Sequence, residues 1–303
     1  MKPSVAWLIV VAFSTPAIVG SCSPPRTSTP EVASQALWKE LTSEDWTSVN
    51  AARQELGAAS KAEILRALHD CASVEDESEE SRLRKGGASV AILDAGRAAG
   101  IGLMDLFAEA FERTTDDQLA SNMLAWVGRE ASMSSDTACP TALLAAATRH
   151  AAAGERSEPV QIALAWLAGD CCSNIAFRYA EFQAKSDLER TAEDAAQLES
   201  ALAAVRAWIP VVAAKLADDG RPQLQRIAVI ELRPLHGLHA SKAVDVTAVF
   251  APLRAICADR GRATEVRLSA AFELDSFGED SRERIETLRR ELEVESQERD
   301  REE

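Results

Sequence analysis

The clearest pattern of apolar and polar positions lies near the end of the chain, between Thr264 and Leu292. Two apolar stripes with steps of three or four residues flank a short polar break: Val266, Ala270, Leu274 and Phe277, then Ile285, Leu288 and Leu292. Such steps place side chains on one face of an α-helix. Gly278 stands where a helix end favours positive φ, and Asp280 with Glu283 has capping-box spacing. The segment therefore predicts a helical hairpin.

Segments of the same kind recur along the chain. Six of them align on the first stripe: AARQEL (51–56), ASVAIL (88–93), NMLAWV (122–127), IALAWL (162–167), IAVIEL (227–232) and SAAFEL (269–274). By direct count, their last residues are separated by 37, 34, 40, 65 and 42 positions. A period near forty residues with two helices per unit is typical of HEAT and armadillo solenoids, in which hairpins bury their apolar faces against one another. The pattern predicts an all-α fold, an α-solenoid of about six degenerate hairpins.

The last unit also resembles a known family. Its residues VRLSAAFEL, FGED and IETLRREL are similar to the HEAT-like repeats of phycobilisome-lyase proteins, although Asp275 and Ser276 stand where a smaller or apolar pair is usual. The earlier units are much more degenerate. The resemblance implies a helical repeat architecture from about Trp38 to Leu292, which we delimit as the domain 35–293. It implies no active site, because these repeats carry none.

The longest interval contains an additional helical stretch, the insert 186–218. Ser186 and Glu189 have capping-box spacing at its start, and Pro210 should kink or divide the helix. Its apolar positions alternate steps of three and four, as in a coiled coil: Ala195, Leu198, Leu202, Val205, Ile209, Val212 and Leu216. The insert is either an enlarged repeat whose two helices pair with each other or a ridge that contacts a partner. We favour the first interpretation, because short seams usually pack internally.

The amino-terminal residues 1–22 have the layout of an export signal. Lys2 precedes the apolar run 5–13, as in secretory signals. The residues Val19-Gly20-Ser21-Cys22 resemble the bacterial lipoprotein box, which implies cleavage before Cys22 and acylation of its thiol. A cleaved signal without lipid and an uncleaved anchor are the alternatives. The polar break at 14–16 disfavours the anchor, because it leaves the apolar stretch shorter than the roughly 20 residues that span a bilayer.

Composition and charge narrow the classes of function. The chain is 47% hydrophobic but only 5% aromatic, and it lacks β-branched alternation, which again favours helices. A net charge of −15 disfavours a nucleic-acid partner, because an acidic surface repels phosphate. The Pro/Ser/Thr-rich segment 23–34 predicts a semi-extended spacer, and the charged tail 294–303 predicts a frayed or solvated helix.

Candidate chemistry is sparse. His236 and His239 could face one side of a helical turn, but a zinc site needs three or four ligands, so we expect no metal. Five cysteines follow Cys22: Cys71, Cys139, Cys171, Cys172 and Cys257. A disulfide from Cys139 to Cys171 or Cys172 is one possibility, and burial of all five as small hydrophobes is the other. No nucleophile elbow or phosphate-binding loop occurs, so we expect neither catalytic residues nor cofactors.

Two sets of residues are candidates for protein binding. Trp126 and Trp166 occupy equivalent places in adjacent units, where other units have Glu55, Glu231 and Glu273. We therefore expect this position near the surface, where the indoles form a binding patch or fill the groove between repeats. The second set lies on the last helix of the final unit: Arg282, Glu286 and Arg289.

Together these patterns predict a non-enzymatic scaffold. The chain should be a lipid-anchored protein of the bacterial cell envelope, facing the periplasm or the exterior, that presents a solenoid surface to another protein. One alternative is a lyase-like or ligand-binding enzyme or enzyme helper, with a pocket near His236, His239 and Cys257. The other alternative is a purely structural envelope protein.

Overall fold

The computed structural model describes residues 40–43, 45–73, 79–108, 111, 116–154, 156–218 and 220–302. Within these ranges there is no strand, so the all-α prediction is confirmed. Thirteen α-helices follow one another in these ranges: α1 Trp46–Gly57, α2 Lys61–Ser73, α3 Glu79–Ala98, α4 Leu103–Ala108, α5 Asp117–Ser132, α6 Ala138–Ala153, α7 Glu158–Ala184, α8 Ala192–Ala217, α9 Pro222–Ile230, α10 Leu235–Ala240, α11 Phe250–Ala258, α12 Thr264–Ser276 and α13 Arg282–Glu302. A 3-10 turn, Thr247–Val249, precedes α11. The predicted signal with Cys22 and the spacer 23–34 lie outside the described residues.

The six apolar segments begin in six different helices, and the segment 227–232 extends two residues beyond the end of its helix. In chain order the six helices are α1, α3, α5, α7, α9 and α12, and each packs against the next one. We call these helices the first series. The helices α4, α6, α8 and α11 form a second series, in which each also packs against the next. One continuous hydrophobic core joins both series and extends from Leu41 to Leu288.

The carboxyl-terminal hairpin has the predicted form. Gly278 adopts φ +88° after α12, as a helix end with reversed handedness requires. The described stripes point inward, with Leu274 and Leu288 almost completely buried. Helix α13 begins at Arg282, so Ser281 rather than Asp280 precedes it, a shift of one residue from the prediction. It continues to Glu302, so the tail extends as a helix.

The start of the insert differs from the prediction. Ser186 and Glu189 do interact, because the Ser186 backbone N–H and hydroxyl donate to Glu189 Oε2 at 2.9 and 2.7 Å. They close a turn between α7 and α8, however, and the long helix begins only at Ala192. Its N-cap is Thr191, whose hydroxyl accepts a hydrogen bond from the Asp194 backbone N–H at 3.0 Å. A capping-box spacing fixes a local turn, which a helix need not continue.

Helix α8 is a single helix that continues through Pro210, so the predicted division at this residue does not occur. Its apolar seam faces inward apart from the exposed Ala195, and α8 packs against α6, α7, α9 and α11. Helices α7 and α8 are long and apolar enough to cross a membrane by length and composition, with 67% and 44% of the apolar window buried within the molecule. Core helices meet the same criterion, and the buried seam accounts for the apolar composition of α8.

A buried lysine at the end of α8 links the two series. The Lys215 ammonium group at the end of α8 donates to Gln161 Oε1 at 2.7 Å and to the Ala151 carbonyl at 3.3 Å. The second bond satisfies one of the free carbonyls at the end of α6. Burial lowers the pKa of Lys215 to about 8, because desolvation penalises the charged form. Lys215 therefore ties three helices together at the cost of a desolvated charge.

Candidate functional site

Carboxylates lie at four consecutive joints of the first series, where a joint is the contact between one helix and the next. Between α3 and α5, the Trp126 indole N–H donates to Asp94 Oδ1 at 2.9 Å. Asp170 of α7 lies against α5, and Glu231, which caps the end of α9, lies against α7. Glu273 of α12 faces the segment that follows α9. The four joints thus place one acidic side chain each, but with different neighbours.

Two glycines make room for the middle carboxylates. A Cβ atom on Gly169 would lie 1.4 Å from Glu231 Oε2, so the Glu231 carboxylate occupies the space that the missing side chain leaves. We call this space the Gly169 notch. A Cβ atom on Gly128 would lie 2.7 Å from Asp170 Oδ2 and 3.1 Å from the Cα atom of Leu167. Gly128 therefore permits close approach of the α5 and α7 backbones, whereas Gly169 accommodates only a side chain.

Asp170 and Glu231 form a carboxylate pair without a compensating cation in contact. Burial and then the charge of Asp170 raise the pKa of Glu231 to about 8, whereas Arg233 acts in the opposite direction. Burial also raises the pKa of Asp170. Within the described residues neither carboxylate accepts a hydrogen bond or forms an ion pair. Glu231 also lies at the carboxyl end of α9, where the helix dipole disfavours a negative charge.

The next joint forms a cleft of about 300 Å³ that contains a histidine–carboxylate pair. His236 Nε2 lies 2.6 Å from Glu273 Oε2, and Arg233 Nε lies 3.7 Å from Glu273 Oε1. Glu273 is buried, and the His236 and Phe277 rings make a T-shaped contact. The remaining walls are a mixture of apolar and hydroxyl side chains: Val229, Ile230, Ser269, Phe272 and Ser276. A carboxylate that orients an imidazole in this way prepares it for hydrogen bonding or proton exchange with a ligand.

Of the residues around which a pocket is predicted, His236 and Cys257 line two different clefts, and His239 lines neither of them. The His239 ring lies with Nδ1 3.4 Å from the Val244 carbonyl oxygen, outside the residues that line the His236 cleft. Cys257 lies at a different cleft, between α11, α12 and α13, and burial raises the pKa of its thiol. Across the described ranges, no group of three or more metal-ligating side chains comes together.

The two equivalent tryptophans have different environments, so the groove and patch interpretations do not apply equally to both. Trp126 is 4% exposed because Asp94 and the neighbouring helices enclose it, whereas Trp166 is 46% exposed. The expectation of a surface position is also wrong for Glu273, which is buried, although Glu55 is exposed.

The candidate residues on α13 lie at the surface. Arg282, Glu286 and Arg289 are exposed and are spaced to lie on one helix face. The Arg289 guanidinium lies 5.1 Å from the centre of the Phe272 ring, a cation–π contact. Because Phe272 also lines the His236 cleft, this face of α13 adjoins that cleft.

The described cysteines are free thiols. Cys171, Cys172 and Cys257 are buried, and Cys139 is partly buried. The structure thus contains no bridge from Cys139 to Cys171 or Cys172, in agreement with the small-hydrophobe interpretation. The Cys71 side chain lies outside the described residues.

Sequence reasoning did not find the joint carboxylates. The recurrence of glutamate at one repeat position was a usable signal, but it suggested a solvated face rather than a contact between helices. Comparisons with protein-family models, with curated proteins and with solved structures found no match for this chain. The candidate site therefore rests on its own geometry.

Proposed function

We propose that this protein is a non-enzymatic α-solenoid scaffold that binds another protein. The order of helix packing supports the proposal. The first series and the second series each pack in chain order, and one unbroken core joins them. Stacked hairpins that contact mainly their neighbours produce this arrangement, and their extended surfaces commonly bind proteins.

Exposed aromatic side chains on α7 and α12 supply the proposed binding surface. Trp166 and Phe177 are 46% and 57% exposed and lie about three turns apart on α7, so they share one helix face. Phe272 on α12 is exposed as well. Exposed large apolar side chains often mark protein-binding surfaces, and tryptophan is enriched among residues that dominate binding energy. Arg282 and Glu286 extend the proposed surface onto α13.

Co-purification from the native host tests this surface. We expect Trp166→Ala with Phe177→Ala to reduce a stoichiometric partner, because truncation removes an aromatic contact. Trp46→Ala is the matched control, since Trp46 is 65% exposed but belongs to α1. Charge reversal at Arg282 and Glu286 examines the α13 face separately. An unchanged partner set in all variants contradicts the scaffold function, and self-assembly without a partner favours the structural role.

We also propose that the protein is anchored to the bacterial cell envelope by lipid on Cys22. The support is the apolar run 5–13 followed by the lipoprotein-type box that ends at Cys22. Radiolabelled palmitate should enter the native chain but not Cys22→Ala. A cleaved, unlabelled product would retain export and remove the anchor, whereas an intact unlabelled chain in the cytosol would refute both.

The His236 cleft favours a second candidate function, the binding of a small ligand or assistance to another enzyme. The supporting observation is the imidazole that the buried Glu273 orients at the cleft wall. Metal analysis of the wild type would detect a bound metal ion, and a chromophore-binding assay would detect an organic ligand. His236→Ala should abolish any binding detected, whereas His239→Ala should preserve it.

A further inference from the structure

The joint between α7 and α9 holds two partly buried carboxylates, those of Asp170 and Glu231. Glu231 fills the Gly169 notch, where its Oε2, Cδ and Cγ atoms would be the three nearest heavy atoms to a Cβ on residue 169. Asp170, the next residue on α7, acts electrostatically on Glu231. Both acids also approach backbone that bears no side chain, at Gly169 and Gly128, so their own packing holds them in place.

The charges around Glu231 do not balance. Helix α7 contributes Asp170 and the Cys172 thiol. Burial raises the pKa of the Cys172 thiol, and the negative charge of Glu231 raises it further. The segment after α9 contributes Arg233, whose guanidinium group also lies near the Glu273 carboxylate of α12. Among the described residues, no charged group of α8, which also packs against α9, acts on Glu231. Arg233 is therefore shared between Glu231 and Glu273, and Asp170 adds a further negative charge beside Glu231.

We propose that the joint between α7 and α9 is a proton-coupled contact, in which opening of the joint releases a proton from Glu231. In the closed joint a neutral carboxyl fills the Gly169 notch without the desolvation cost of a charge and without repulsion from Asp170. In the open joint water solvates Glu231, which ionises as an ordinary glutamate does. This inference concerns the fold and does not depend on the proposed partner.

The direction of the coupling follows from proton counting. The folded-state pKa of Glu231 is raised to about 8 from the ordinary 4.5, so between these limits the closed joint binds one more proton than the open joint. The closed form is therefore most favoured below pH 4.5, and its advantage falls as the pH rises toward 8. Each pH unit in this window increases the open fraction by about tenfold. Above the window Glu231 is ionised in both forms, and the change stops.

Hydrogen–deuterium exchange of the full chain tests the coupling. Rates are measured from pH 5.5 to 8.5, corrected for intrinsic exchange, and compared between the α9 segment 222–232 and the reference helix α5. Relative to α5, we expect α9 of the wild type to lose protection by about tenfold per pH unit. Glu231→Gln should remove this slope, because an amide does not titrate. The matched control is Glu55→Gln, the exposed glutamate at the same repeat position, which should retain the slope.

The neighbouring charges should move the upper limit of the window in opposite directions. Asp170→Asn removes a like charge, so the slope should end at a lower pH, whereas Arg233→Gln removes the opposing cation and should extend it upward. A wild type without a slope, or a Glu231→Gln variant that keeps it, overturns the proposal.

Carbon-13 titration of wild-type glutamate carboxyls provides a test that needs no variant to fold. We expect one glutamate carboxyl to titrate near pH 8 in the folded protein. If every glutamate carboxyl titrates below about pH 6, within the ordinary range for this side chain, the proposal is wrong.

Discussion

The effect of Gly169→Ala should change sign with the residue at position 231. In the wild type the new Cβ would lie 1.4 Å from Glu231 Oε2 and 2.5 Å from its Cδ atom, so the carboxyl must leave the Gly169 notch. In a Glu231→Ala background those atoms are absent, and the notch is empty. Residue 169 lies inside α7, where alanine is the better helix former.

The sizes of the two effects on stability follow from the helix preference for alanine and from the cost of overpacking. Alanine in place of an interior helical glycine stabilises by about 0.5–1 kcal/mol when space permits. Overpacking a well-filled contact costs about 1–3 kcal/mol. We therefore expect Gly169→Ala to destabilise the wild type by about 1–2 kcal/mol and to stabilise the Glu231→Ala protein by about 0.5 kcal/mol. The interaction energy of the double-mutant cycle is then about 2 kcal/mol.

Urea unfolding at pH 6, followed by both circular dichroism and tryptophan fluorescence, measures the cycle, since coincident transitions justify a two-state treatment. Gly128→Ala with Asp170→Ala is the matched comparison. There a Cβ also meets the Leu167 Cα atom at 3.1 Å, so Gly128→Ala should destabilise in both backgrounds. If Gly169→Ala changes the free energy of unfolding equally with and without Glu231, then Glu231 does not occupy the Gly169 notch.

Three further predictions concern individual side chains. Relative to Lys215→Met, the free energy of unfolding of the wild type in urea should increase by up to about 3 kcal/mol between pH 8 and 10.5. In this range the folded state has released the Lys215 proton that the unfolded chain still holds. Trp126→Phe should cost about 1 kcal/mol through the lost indole hydrogen bond, whereas Trp166→Phe should change the free energy of unfolding by less than about 0.5 kcal/mol. In thiol titration with Ellman's reagent, Cys139 should react before Cys171, because complete burial shields Cys171 and raises its pKa.

The apolar periodicity sufficed to place six helices, because an amphipathic stripe must face a core wherever the helix lies. Local polar signals were less informative. The Ser186 and Glu189 spacing produced a real hydrogen-bonded turn, but the chain resumes a helix only after Thr191. A capping pair satisfies local backbone donors both in a turn and at the start of a helix. Its spacing therefore does not tell whether a helix follows.

The candidate site could not be read from repeat position alone. Glu55 and Glu273 occupy equivalent places, yet the first is exposed and the second is buried beside His236. Position within a repeat fixes the side of the helix on which a residue lies. Burial depends on which groups the next helix of the series contributes, and these groups differ from joint to joint. The same difference in neighbouring groups explains why Trp126 is enclosed and Trp166 is exposed.

The joints of the first series should therefore differ in strength, although their helices pack in a similar way. In an array with nearest-neighbour contacts, stability is approximately a sum of unit and interface terms. The joint of Asp94 with Trp126 includes a hydrogen bond, and the joint of Glu273 includes an imidazole and a guanidinium. Between them, Asp170 and Glu231 have burial without a bonded cation, which costs free energy unless a proton neutralises one of them. The joint between α7 and α9 is then the place where local opening should begin at alkaline pH, with the helices after Glu231 separating from the more extensively packed pair of α5 and α7.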